Sequence, residues 1–118
     1  MKYALLIYAD ERRYETMSEA EQGAVFGEYM GLVEELKAAG KYLGGEPLEA
    51  VATASTVRVQ NGKTVVTDGP YAETREQLGG FFLVEAESLD DAIAMAARIP
   101  DARGGSIEVR PVMPLPAG

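Results

Sequence analysis

The 118-residue chain contains no cysteine and no histidine. The first absence excludes disulfides and thiolate nucleophiles, and the second excludes an imidazole general base. Together they rule out Ser-His-Asp and Cys-His mechanisms and every thiolate or imidazole metal ligand. A carboxylate-only site for Mg²⁺ or Ca²⁺ would need a cluster such as D-x-D-x-D-G, which is missing, so no metal is expected. Basic residues are also few: 11 Lys and Arg stand against 19 Asp and Glu, for a net charge of −8, and they form no stripe. Such a surface repels phosphate backbones, so no nucleic-acid partner is expected, although a single Arg can still hold a small anion. No Gly-rich loop opens a helix, which argues against a phosphate cradle, and no cofactor is expected. No apolar run approaches the ~20 residues of a membrane span. The opening "MKYALLIYADERR" reads as a strand rather than a signal peptide. The chain is therefore expected to be cytoplasmic and free of membrane association.

What the chain does have is the composition of one soluble domain, 1–118, with 47% hydrophobic and 25% charged residues. "KYALLIYA", residues 2–9, is a strand. A helix is expected to start near residues 17–19, where Thr16 with Glu19, or Ser18 with Glu21, can form a capping box. Phe26, Tyr29, Met30, Val33 and Leu36 follow at helical spacing, and Gly40 is a natural stop. "KYLGGEPLEA" is irregular or a short strand. "STVRVQNGKTVVTDG" places Asn61-Gly62 between two β-rich runs, the preferred pair for a type I′ hairpin. "GGFFLVEAE" is a strand, "SLDDAIAMAARIP" a helix capped by Ser88 with Asp91, and "GGSIEVRPV" the last strand. "MPLPAG" is an extended, peripheral tail. The order β-α-β-β-β-β-α-β, with both helices on one face of an antiparallel sheet, predicts a ferredoxin-like α+β domain.

The first strand is apolar on both faces: Tyr3, Leu5 and Ile7 on one, Ala4, Leu6 and Tyr8 on the other. Phe81 and Leu83 oppose Phe82 and Val84 in the same way. Two helices cover one face, so the second calls for a homodimer packed sheet on sheet. Gly23, Gly27 and Gly31 recur every four residues on the first helix and predict close packing against another backbone.

Candidate site residues cluster around "TDGPYAETREQ". Asp68-Gly69-Pro70 is a turn, and the turn presents Asp68 as a candidate general acid or base. Tyr71, just after it, is a candidate contact. Arg58 on the hairpin and Arg110 on the last strand can hold a ligand carboxylate bidentately, or simply lie on the surface. Glu46, beside Pro47, can form a carboxylate pair with Asp68 if the two meet. Tyr8 offers a phenol on the second sheet face.

"VTDGPYAETREQLGGFFLVEA" resembles the signature of the YCII-related family, in its DGPF-domain branch. The likeness extends to "MKYALLIY", "GGEPL", "STVRVQNG" and "AARIPDARGGSIEVRPV", nearly the whole chain. The resemblance implies a dimeric α/β barrel fold and a pocket near the DGP turn with Asp68 as its catalytic or binding residue. In YciI-like relatives that aspartate is thought to pair with a histidine, which this chain lacks. Where relatives with the DGP motif often carry histidine, before the final strand, this chain reads "DARGGS", with Arg103 the nearest polar side chain. The family's link to extracytoplasmic-function sigma factors implies a regulatory role for some members. The expected function is a dimer binding a small, anionic molecule at the DGP turn, with Asp68 acid–base catalysis. The alternatives are a ligand-sensing module tied to sigma-factor regulation and a purely structural partner.

Overall fold

A computed structural model describes residues 1–116; the last two residues of the tail expected to be extended lie outside the described residues. Four strands form the main sheet: β1 (Lys2–Ala9), β2 (Tyr42–Pro47), β5 (Gln77–Glu85) and β6 (Ser106–Pro111). They are ordered β2-β5-β1-β6, with every neighbouring pair antiparallel. The remaining two strands, β3 (Ser55–Gln60) and β4 (Lys63–Asp68), pair only with each other and form a separate arm. The α+β, ferredoxin-like topology matches the sequence reading. The chain alone forms no closed barrel, because the sheet is open at β2 and β6.

Helix α2 (Glu19–Ala38) begins where the capping box predicts. Ser18 Oγ accepts from the Glu21 N–H, and the Glu21 carboxylate accepts from the Ser18 N–H. It ends before Gly40, whose φ of +72° suits a residue without a Cβ. Helix α3 (Leu89–Ala97) is capped by Ser88 through the Asp91 N–H. The hairpin turn has φ of 52° at Asn61 and 76° at Gly62, as a type I′ turn requires. A further short helix, α1 (Glu11–Glu15), was not foreseen, nor was the 3₁₀ turn over Pro100–Arg103.

Alternation along β1 is as expected. Tyr3, Leu5, Ile7 and Ala9 are buried under α2 and α3, while Ala4, Leu6 and Tyr8 are half-buried on the open face. Phe82 and Val84 join the first set, with Leu32, Leu36, Met95 and Ile99 from the helices and the turn after α3 closing the core. Phe26 and Met30, expected on the core stripe of α2, are exposed instead. Gly23, Gly27 and Gly31 are exposed as well, and a Cβ at any of them would meet no atom within 4 Å. Their predicted close partner is therefore not in this chain.

Candidate functional site

Helix α1 is started by one side chain. Asp10 accepts from the backbone N–H of Arg12 and also from the Arg12 guanidinium, which holds the Asp10 carboxyl down to about 2. The turn of helix that follows aims Tyr14 inward. One layer away, α2 offers Tyr29, fixed edge-on against Phe82 with ring centroids 6.2 Å apart. After α3, Pro100 occupies the first position of a 3₁₀ turn, where its missing N–H costs nothing. The next residue is Asp101.

These three elements meet at the Asp101 carboxylate. It is 5% exposed, the single buried charged side chain among the described residues. Tyr14 Oη donates to it at 2.7 Å from each oxygen, and Tyr29 Oη donates to Oδ2. Arg13 Nη2 lies 3.7 Å from Oδ1. Burial, followed by the neighbouring Asp101 carboxylate, pushes both phenols well above the ordinary tyrosine value of 10.0. The Asp101 backbone carbonyl accepts from the Gly105 N–H at 2.7 Å, so its main chain and side chain are both engaged. The buried Nη1 of Arg13 has no partner; it lies against Gly104, where a Cβ would overlap the guanidinium.

This cluster forms one wall of a cleft of about 1070 Å³ between α1, α2 and the β2–β5 side of the sheet. Phe26, Met30, Val33 and Phe82 supply apolar surface. Glu11, Glu15, Glu19 and Glu46 join Asp101 as carboxyl groups at its edge, and Lys37 is the cation among the lining residues. Glu11 is held in place on both sides. Its Oε2 accepts from the Val51 N–H, and its own N–H donates to Gln77 Oε1, each at 2.9 Å. Both phenol protons point to Asp101, so Tyr14 and Tyr29 present only lone pairs to the cleft. The polar part of the wall thus accepts hydrogen bonds and donates few. No group of three or more acidic side chains suited to a metal ion occurs among the described residues.

The residues singled out from sequence are spread over four places. Glu46 lines the cleft. Tyr8 and Arg110 lie on the open sheet face, Tyr8 in register with Ser106 and Arg110 with Ala4. Arg58 and Asp68 are exposed on the arm, opposite Val65 and Ser55. Tyr71 is exposed in the following loop. Within one chain, then, Glu46 and Asp68 sit on different elements. The DGP turn is real: Gly69 has φ of +98°, its N–H donates to the Ala54 carbonyl, and its carbonyl accepts from Thr56 Oγ1. The Asp68 side chain takes no part in these bonds. Arg103 turns outward and pairs with Glu28 at 2.7 Å.

Compared with known proteins, residues 1–116 match the YCII-related domain. The chain belongs to the YCII-related family. It is also 39% identical over 114 residues to an uncharacterised protein of Rhizobium meliloti (strain 1021), covering 95% of this chain and 92% of that one. In this YCII-related chain the carboxylate that the fold buries is Asp101, seven positions before Glu108 of the last strand, and not the aspartate of the DGP turn. Sequence reasoning passed over Asp101, Tyr14 and Tyr29. The available signal was the Ile-Pro-Asp junction after α3, since Pro with its fixed φ favours the first position of a new helical turn and so marks Asp101 as part of one.

Proposed function

We propose that this YCII-related protein binds a small amphipathic molecule in the cleft, with an apolar body along α2 and a hydrogen-bond-donating, cationic end facing the tyrosines. The observation that carries this reading is the acceptor wall: two phenols whose protons are committed to a buried carboxylate, flanked by glutamates. Sequence reasoning pointed to an anionic ligand on Arg58 or Arg110. The sign of charge around the cleft favours the opposite class, an amine. A binding or sensing role fits a site with no imidazole better than turnover does. Asp68 remains a candidate acid–base residue only if another copy brings it to a cleft. Dimerisation sheet on sheet belongs to the same proposal, supported by the half-buried apolar face of Ala4, Leu6, Tyr8 and Leu83.

The test is a thermal-shift series of matched ligands: straight-chain primary amines, alcohols and carboxylic acids of equal length. Amines are expected to raise Tm in proportion to the logarithm of concentration, as binding to the native state alone requires. Glu46→Gln is expected to weaken that shift. If the carboxylic acids stabilise and the amines do not, the proposed ligand class is wrong.

A further inference from the structure

Asp101 also lines a second, smaller cavity of about 300 Å³, at the lower bound of the volumes that hold small ligands. Met17, Val25 and Pro100 supply its apolar walls, and Arg13, Arg103 and Asp101 its charges. The cleft is edged by glutamates, whereas this cavity has none. Its side chains carry two positive charges against one negative, a local reversal in a chain of net charge −8.

The fold treats the two arginines of α1 differently. Arg12 is engaged by Asp10, with Nε at 3.0 Å and Nη2 at 2.7 Å. Arg13 has no such partner among the described residues. Its Nη1 is buried and unpaired, and its Nη2 stops 3.7 Å from Asp101 Oδ1, outside hydrogen-bonding distance. Buried donors without a partner are rare in native structures, and a ligand in the adjoining cavity would supply the acceptor. Gly104 sets the position of the group. A Cβ there would overlap the guanidinium, so only glycine lets Arg13 lie on this stretch of main chain. The Arg13 side chain is still 36% exposed where it lines the cavity, so its fork is held and yet reachable. Arg103 gives one N–H to Glu28 at 2.7 Å, which leaves the other donors of its guanidinium.

We infer that this cavity binds a small organic monocarboxylate. Its two oxygens meet the planar fork of Arg13, with Arg103 beside them. Its short apolar body lies against Met17, Val25 and Pro100. One negative charge matches the surplus of one cation. A phosphate, at roughly −1.5 to −2 charges near neutral pH, would be repelled more strongly by Asp101. The inference goes beyond the amine reading of the cleft and does not depend on it.

Benzoate is the probe, with benzamide as the uncharged molecule of the same shape. Isothermal titration at constant ionic strength is expected to show saturable benzoate binding, one per chain, and none for benzamide. Arg13→Met should weaken benzoate by about tenfold or more, and so should Arg13→Lys, which keeps the charge but loses the fork. Gly104→Ala keeps both arginines and should also weaken it, because it displaces the guanidinium. Arg98→Met removes a positive charge from an exposed pair with Glu35 and should change nothing. Circular dichroism establishes that each variant is folded before titration. Three results would overturn the inference: benzoate shows no saturable binding, benzamide binds as well as benzoate, or Arg98→Met weakens benzoate as much as Arg13→Met does. Inorganic phosphate binding more tightly than benzoate would overturn the ligand class. The amine reading fails separately, since amine binding responds to Glu46→Gln and benzoate binding to Arg13→Lys. A carboxylic acid that stabilises the protein through this cavity stops doing so in Arg13→Lys.

Discussion

Removing the Tyr29 hydroxyl tests whether the Asp101 cluster holds α1, α2 and the turn after α3 together. A hydrogen bond to a carboxylate contributes roughly 1.5–3 kcal/mol net. Tyr29 is only partly buried, so Tyr29→Phe is expected near the lower end, about 1.5 kcal/mol, and Tyr14→Phe about the same. The double variant is the informative one. Asp101 would keep only Arg13, at 3.7 Å, outside hydrogen-bonding distance. A buried carboxylate without a hydrogen-bond partner adds a desolvation penalty of about 1–3 kcal/mol. The double loss is therefore expected to reach about 4–6 kcal/mol, exceeding the sum of the singles by about 1 kcal/mol or more. For a chain of this size that is roughly 16–24 °C in Tm, at about 4 °C per kcal/mol. The assay is urea unfolding followed by circular dichroism at fixed protein concentration, with unchanged m-values required. Repeating Tyr29→Phe in an Asp101→Asn background should cut its cost. Additive singles of less than about 0.5 kcal/mol each would show that water already satisfies Asp101 and that the two hydroxyls do not hold these elements together.

Three further outcomes follow from the geometry. Burial and Asp101 raise Tyr14 and Tyr29 in the folded state, so the stability they contribute is complete below the unfolded value of 10.0. It declines as pH rises above that value, where only the unfolded chain releases phenolic protons; the Tyr14→Phe, Tyr29→Phe variant should show a shallower decline in unfolding free energy above pH 10. Gly105→Ala would drive a Cβ into the Tyr8 carbonyl, with the Asp101 carbonyl 3.0 Å away; a loss of about 1–3 kcal/mol is expected by chemical denaturation. Ser18→Ala removes the acceptor for the Glu21 N–H and should cost about 1 kcal/mol, read as a lower Tm with unchanged assembly.

Much of the fold is written locally. Ser18 with Glu21, Ser88 with Asp91, and Asn61-Gly62 each act within four residues, and each appears where the residues predict it. The two-faced apolar pattern of β1 likewise translates into one buried and one half-buried face. Helix α1 escaped because five residues give no periodicity, and its start depends on Asp10 folding back on Arg12. Asp101 escaped for a different reason. In the string "DARGGS" it looks like any solvated loop acid, and its burial exists only because Tyr14 and Tyr29 arrive from elements 87 and 72 residues away. The glycines of α2 were legible as unusual, but a Cβ built on Gly23, Gly27 or Gly31 meets no atom within 4 Å, so the packing their spacing predicts is not found among the described residues.

The position of β1 has a consequence for how the protein is made. The earliest of these six strands to be synthesised is central in the sheet, yet its neighbours are β5 and β6, so Leu5 waits for Phe82 and Val109. Pairings across so much sequence form slowly, and here they form only after most of the chain has been synthesised. Helix α2, with its exposed Phe26 and Met30, and the arm, a local hairpin that closes in microseconds, are both in place earlier. During that interval the nascent chain shows its stickiest surfaces without its core.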